Sequence, residues 1–599
     1  MLIPGPRGNI YDRNGRPLVL NRPHFSATVE LDALRREFQR EYQETVRRYR
    51  ESEAAGDTLR SDRPSPAQLE QIARVQVVQR YLDQVNRLLG RSERVDAHEL
   101  NRHFQQQLLL PYAILDDLKP EEYAKLLERL PVESPLQLYA SSTRDYPYKS
   151  AAAHALGYVR ASEEISGEEV PGEDLRTYAL PGTAGRDGLE LRYDSLLQGE
   201  TGGAVYRVDP AGFRVNPPVS RRAPVQGYDL ITSLDIDLQL AVEAAMEQYA
   251  GDLKGSAVVL DVHTGEVLVL ASKPGYDLNA FSPHLSLAAK EEIDKNEAWT
   301  NFAIAGAYPA GSTFKIVTSI AGMRSGQLNP ETVLVDCTGA MYVGNRRFTC
   351  DNGLGHHGPL SLREGIAQSC DVYFYTAGIA IGPDIIAAEA RRLHLDQRTG
   401  IDLPHETTRM RIPDPEWKKQ TTGESWTKGD TANMAIGQGA VNVTPMQMAC
   451  FVASVARGET TTAPSLVHDP DRPPQHSEPL GLTPSQLVVL YDGMEGCVTH
   501  GTAAQTLAAP KWRIPGLRIA GKTGTAQTSR DGKKINIAWF ICFAPRENPQ
   551  IAVAVAIEGE PDSGNLAGGL YAAPIAASAL RTWFEKSQRT PLVSLTPNG

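Results

Sequence analysis

The chain has 599 residues, 41% of them hydrophobic and 22% charged, with a formal net charge of −11 at pH 7. That length is too great for one compact domain and asks for two or three. The acidic balance leaves no basic surplus to neutralise phosphates, which argues against a general nucleic-acid binder.

No stretch reaches the roughly 18 consecutive apolar residues of a membrane-spanning helix. The start, Met1-Leu2-Ile3-Pro4-Gly5-Pro6, has neither the basic residues nor the apolar run of a signal peptide. The chain is expected either to work in the cytoplasm or to follow a removed membrane anchor, and the motifs below favour the second.

In chain order, Arg7 to Gly15 predicts a strand broken by an Asn-Gly turn. Residues 34–107 place apolar residues at helical spacing among Arg, Gln and Glu, and the polar interval 54–66 divides them into two helical pieces. The densest basic stretch, residues 35–50, reads as a solvated helix face. These helices form an excursion from a strand-based N-terminal domain. Pro210, Pro217, Pro218 and Pro224 crowd residues 208–227 and predict a linker or hinge.

Residues 255–272 predict strand, turn and strand, with His263-Thr264-Gly265 at the turn. Apolar helix patterns follow Ser312 and Ser369. Two more strands are predicted over 535–544 and 550–558, then a helix over 572–586. A sheet flanked by helices results, its strands drawn from both ends of the segment. Residues 458–479 are expected to form a surface excursion, and the tail after Ser587 to be disordered.

Ser312-Thr313-Phe314-Lys315 follows Pro309-Ala310-Gly311 and opens an apolar helix. Ser and Lys one turn apart share a face, so the amine can reach the hydroxyl. A serine nucleophile needs such a base, and the helix N-terminus offers N–H groups to a developing oxyanion. Taken alone, Ser-x-x-Lys is also the pattern of an ordinary N-cap. Lys522-Thr523-Gly524-Thr525 follows an apolar run and reads as the end of an edge strand. There Lys522 can bind a carboxylate, and Gly524 would let a substrate backbone approach. Ser369-Cys370-Asp371 lies between the two.

Ser-x-x-Lys, Ser-x-Asn and Lys-Thr-Gly in that order form the motif set of penicillin-binding proteins and serine β-lactamases; here Asp371 stands for the Asn. The start Arg7-Gly8 with Asp12-Arg13-Asn14-Gly15 resembles the segment after the membrane anchor in class B penicillin-binding proteins. Gly185 with Gly188-Leu189-Glu190, Tyr193-Asp194 and Gly199 resembles their pedestal motif. Ile436-Gly437-Gln438-Gly439 with Thr444-Pro445 and Gln447, and Ala538-Trp539-Phe540, resemble signatures of their transpeptidase domain. The Ser-Cys-Asp form is similar to the elongation-type enzyme, penicillin-binding protein 2.

The resemblance implies an α+β multidomain chain. Residues 1–225 would form a β-rich pedestal with a helical head inserted at about 34–107. Residues 226–590 would form a β-lactamase-like transpeptidase domain, a central antiparallel sheet flanked by helices, and 591–599 a tail. It implies a peptidoglycan D,D-transpeptidase that cross-links stem peptides and is acylated by β-lactams, at the periplasmic face of the inner membrane. Ser312 would be the nucleophile, Lys315 its base and Ser369 the proton relay. Ser312 and Thr525 N–H groups would form the oxyanion hole, while Lys522, Thr523 and Thr525 hold the terminal carboxylate. It also implies a SEDS-type glycosyltransferase (RodA) and MreC as partners. A septal-type enzyme, a β-lactamase or β-lactam sensor, and an idle cell-wall scaffold are the alternatives.

Asp371 departs from the motif. An ionised Asp accepts hydrogen bonds where Asn can donate, and beside Lys315 it favours the charged amine.

Of six cysteines, Cys337, Cys350 and Cys370 crowd between the first two motifs, with His357 among them. Three thiols and an imidazole suit a closed, tetrahedral structural zinc. His356 is an alternative to His357, and Asp336 or Asp351 could replace a cysteine. Relatives of the elongation type can carry a metal at similar positions. A Cys337–Cys350 disulfide and unlinked thiols stay open. Cys450 and Cys542 read as buried small hydrophobes, His154 as structural and Trp539 as core or cleft wall. Cys497 has no reading.

Overall fold

The apolar runs near 254–273 and 520–558 meet in one five-stranded antiparallel sheet in the computed structural model of the chain. The strand order is Val267–Lys273, Lys254–Asp261, Ile551–Glu558, Lys533–Ala544, Ala520–Arg530. The structure describes all residues except 56–63, 132–133, 163–177, 211–212, 283, 351–354, 531, 563, 565 and 590–599.

Successive side chains of a strand point to opposite faces. Val259, Phe540, Val553 and Val555 pack with the helices Ile236–Ala250 and Gly568–Arg589. Val258, Trp539, Ile541 and Ala554 pack with the helices Lys315–Arg324 and Pro445–Arg457. Cover on both faces explains why these strands read as unbroken apolar runs. The strand carrying Lys522 to Thr525 is the edge of this sheet, so one side of its backbone is left for other groups.

In the N-terminal part, Pro17–Val29 pairs with both Tyr112–Leu118 and Leu136–Asp145. The helices Arg35–Ala55, Pro66–Leu89 and Ala97–Gln106 are inserted between the first two strands. They are three, not the two expected. Gly90 ends the second helix in a left-handed cap at φ 72°, and the Asp96 side chain caps the third by accepting from His98 N and Glu99 N. Part of the interval 54–66 lies outside the described residues.

The pedestal signatures meet in a buried charge cluster. Arg7 pairs with Glu190 and Asp194, both at 2.7 Å, and Arg144 pairs with Glu190 at 2.7 Å. Gly8 permits this packing, since a Cβ there would lie 1.8 Å from the Tyr228 carbonyl oxygen.

Two expectations are corrected. The proline-rich segment 208–227 is no simple linker, because Arg214–Arg222 forms a strand against Gly199–Val208. It is the outer strand of a three-stranded sheet, and its register slips between Val205 and Arg207. Prolines are tolerated at such an edge because no further strand needs their missing N–H. Residues 458–479 are a surface excursion only in part. Leu466 is buried, and Ser233 N donates to its carbonyl at 2.8 Å.

The final helix runs to Arg589, and the tail 590–599 lies outside the described residues. Among the described residues, no helix is long and apolar enough to cross a membrane.

Candidate active site

The turn Gly311–Phe314 carries Ser312 and leads into the helix Lys315–Arg324. It is pinned against the edge strand. Trp539 Nε1–H donates to the Pro309 carbonyl at 2.9 Å, and Thr313 Oγ1 donates to the Ala310 carbonyl at 2.7 Å. A Cβ on Gly524 would meet Trp539 Cβ at 3.0 Å and Thr313 Cγ2 at 3.1 Å. Gly524 was expected to admit a substrate backbone. Its bare Cα lets the serine turn approach the strand closely.

Lys315 is fully buried. Its Nζ donates to the Ser369 carbonyl at 2.7 Å, to Ser369 Oγ at 3.2 Å and to Asp371 Oδ1 at 2.7 Å. No hydrogen bond joins it to Ser312 among the described residues. The Asp371 carboxylate draws the ammonium along the cleft, which is the physical reason the expected Lys–Ser contact is not formed. Such contacts can tighten only when substrate arrives.

Ser369 has φ 54°, in the left-handed region that a serine rarely adopts. The conformation costs about 1–3 kcal/mol. It turns the chain from the helix Leu362–Ala367 into the helix Asp371–Ile381, and Cys370 N-caps the second. Lys522 Nζ reaches the same hydroxyl, donating to Ser369 Oγ at 2.8 Å and to the Thr523 carbonyl at 2.9 Å. Ser369 Oγ thus accepts from two lysines, and its own proton is free to point into the cleft. Burial pulls Lys522 from 10.5 down to about 7. Lys522 is fully buried, Thr523 is buried and Thr525 is half-buried.

Gln438 was read only as part of a signature. Its carboxamide donates to the Thr525 carbonyl and accepts from Gln527 N–H, both at 3.3 Å. Because a strand residue directs its N–H and C=O to the same side, the Thr525 N–H also faces this free edge. Its place in the 436–439 signature was the only trace of Gln438 in the sequence. Trp539 is core, as read, and His154 is structural, its Nε2–H donating to the Ala298 carbonyl at 2.7 Å.

Beside this cleft, Cys337, Cys350, His357 and Cys370 bring four ligand atoms within 4.8 Å of one another. The Cys350–Cys370 sulfur separation is 3.7 Å, and His357 Nδ1 lies 3.6 Å from Cys350 Sγ and 3.7 Å from Cys337 Sγ. Sulfurs about 2.3 Å from one zinc in a tetrahedron would be roughly 3.8 Å apart, so the donor set fits one ion. The hydrogen bond shared with Cys370 lowers the Cys350 thiol below its ordinary value. No disulfide links Cys337 to Cys350; both are free. His356 packs on Gly339 outside the cluster, and Asp351 lies outside the described residues. Cys450 and Cys542 are buried.

The sequence matches the penicillin binding protein transpeptidase domain over residues 255–581 and the penicillin-binding protein dimerisation domain over residues 2–232. The chain belongs to the penicillin-binding protein transpeptidases. Among curated members, it is 29% identical over 614 residues to the peptidoglycan D,D-transpeptidase MrdA of Acinetobacter baumannii, covering 98% of this chain and 82% of that one. The fold is that of penicillin-binding protein 2 from Helicobacter pylori, solved with MreC, at a TM-score of 0.74 and 24% identity over 98% of this chain and 99% of that one. A chain from a structure on the coordination of polymerization and crosslinking by a peptidoglycan synthase complex matches at a TM-score of 0.71 and 26% identity, over 98% and 91%. In this penicillin-binding protein transpeptidase, the pedestal charge cluster falls in the dimerisation domain and all three motifs in the transpeptidase domain.

Proposed function

We propose that the protein is a peptidoglycan D,D-transpeptidase of the elongation type, working through a serine acyl-enzyme. The observation that carries this reading is convergence on one oxygen. Lys315 of the first motif and Lys522 of the third both bond the Ser369 hydroxyl of the second, at 3.2 and 2.8 Å.

Proton transfer along the 2.7 Å Lys315–Asp371 bond converts the ion pair to a neutral amine and acid. That exchange is favoured once substrate excludes water from the cleft. The amine then accepts the Ser312 proton as Ser312 Oγ bonds the carbonyl carbon of the penultimate D-Ala. The N–H groups of Ser312 and Thr525 stabilise the oxyanion. As the C–N bond breaks, Ser369 passes its proton to the departing D-Ala amine and recovers one from Lys315. Thr523 and Thr525 hold the terminal carboxylate, attracted by Lys522. An amine from a neighbouring stem resolves the ester and completes the cross-link. β-Lactams enter the same acylation.

Cys337, Cys350, His357 and Cys370 would hold a structural zinc. Four protein ligands leave it no open position, so its chemistry is to tie strands and loops together. The protein would act at the periplasmic face of the inner membrane, with MreC and a RodA-type glycosyltransferase as its partners. The relatives solved with MreC and in a peptidoglycan synthase complex support those partners.

The test is intact-mass spectrometry after incubation with a penicillin, with Ser312→Ala alongside. One stable adduct that disappears in the variant is expected. Rapid loss of the adduct would instead indicate a β-lactamase, and acylation of the variant would remove Ser312 from its role.

A further inference from the structure

Cys497 takes no part in the arrangement above, yet it lies directly behind it. It sits near the end of the helix Pro484–Thr499 and is fully buried. Its Sγ is 3.2 Å from Thr502 Oγ1, and Thr502 Oγ1 is 2.5 Å from Thr523 Oγ1. Three groups with one proton each therefore stand in a row, from the core to the cleft.

The segment carrying Thr502 is tightly held. Gly501 N donates to the Gly496 carbonyl at 2.8 Å and Ala503 N to the Cys497 carbonyl at 2.9 Å. A Cβ on Gly501 would lie 2.0 Å from the Ala367 carbonyl oxygen, so the backbones are in close contact. Lys522 does not compete for the Thr523 hydroxyl, since its Nζ bonds Ser369 Oγ and the Thr523 carbonyl.

In a row of single donors, the first donor sets the direction of all the others. A thiol that donates to Thr502 leaves Thr502 to donate to Thr523, and Thr523 keeps its proton for the cleft. The reverse order turns the Thr523 proton inward and presents only lone pairs to an anionic ligand. We propose that Cys497 and Thr502 are positioning residues that orient the Thr523 hydroxyl as a donor to the substrate carboxylate. The proposal rests on the reading of Thr523 as a carboxylate contact.

The experiment compares acylation rate constants for a penicillin and for its methyl ester, which lacks the anionic carboxylate. The ratio of the two rates cancels any loss of folded protein. Thr502→Val removes the donor that holds the Thr523 hydroxyl and leaves it free to rotate, and is expected to lower the acid-to-ester ratio several-fold. Cys497→Ala is expected to lower it about threefold. Thr502→Ser and Cys497→Ser, which keep a donor at each place, retain the wild-type ratio. An unchanged ratio in Thr502→Val or Cys497→Ala overturns the proposal while leaving the carboxylate reading intact. A wild-type enzyme that does not distinguish acid from ester overturns the carboxylate reading itself, and the proposal with it.

Discussion

Asp371 Oδ1 accepts from Lys315 Nζ at 2.7 Å, and each residue is the first of its helix. A lysine at a helix N-terminus opposes the positive end of the helix dipole, whereas an aspartate complements it. One carboxylate therefore faces an ammonium and two helix ends. This accounts for an Asp where the family motif has Asn: it compensates a charge that the protein has removed from water.

Removing one partner of a buried ion pair leaves the other uncompensated, at a cost of about 3 kcal/mol. Asp371→Ala is expected to lose about that much stability in chemical denaturation. Asp371→Asn should lose about half, because its carboxamide oxygen still accepts from Lys315. A fully stable Asp371→Ala would show that the pair carries no such load.

Lys522 sets a pH dependence of unusual sign for a lysine. Burial holds its folded value at about 7, below the ordinary 10.5. Between those values the folded state binds fewer protons than the unfolded, so stability rises with pH. Below pH 7 the cost of burying the charge is present in full. Relative to Lys522→Met, the wild type is expected to gain roughly 2 kcal/mol from pH 7 to 9. A difference constant across that range would contradict the buried ammonium. Carboxylate capture runs the other way, since neutral Lys522 exerts no attraction, and acylation by a penicillin should fall above pH 7.

The motifs were legible because each is a short run whose chemistry depends on residue type and local spacing. The sheet was legible because its strands are apolar on both faces. Partner choice was not. The spacing of Ser312 and Lys315 points the amine at the serine, but Asp371 arrives from a separate helix 56 residues on and takes it. Gly524 reads as space for a ligand, and only the fold shows that the Thr313 methyl packs against it as well. Pro217 and Pro218 argue against a strand unless the segment is known to lie at an edge, which is a property of the assembled sheet. The acidic partners of Arg7 lie more than 180 residues away.

Glu243 links the two parts of the chain and titrates with the opposite slope. Its Oε1 accepts from Ala152 N at 2.9 Å and Gln239 Nε2 at 2.7 Å. Burial raises it from 4.5 to about 7. The folded state holds a proton that the unfolded chain releases, so this contribution is fully present below pH 4.5 and is lost as pH rises to 7. Glu243→Gln keeps the accepting oxygen and copies the neutral form. Its stability advantage over wild type should grow from near zero at pH 4.5 to about 3 kcal/mol above pH 7. A pH-independent advantage would rule the mechanism out.

Cys370 joins the cluster of three thiols and His357 to the cleft without any intervening residue. It stands between Ser369, held at φ 54°, and Asp371, and its sulfur accepts from Tyr373 N at 3.4 Å as the cap of the following helix. A ligand bond to that sulfur would fix both neighbours at once. Cys370→Ser keeps a capping oxygen but removes a thiolate, so the helix start should survive while zinc affinity falls. Zinc content by mass spectrometry is expected to drop from one per chain to well below one, and the acylation rate to drop with it. Cys450→Ser, a change at a buried thiol outside the cluster, should leave zinc content unchanged. If zinc-free protein acylated at the full wild-type rate, the ion would have no hold on Ser369 and Asp371.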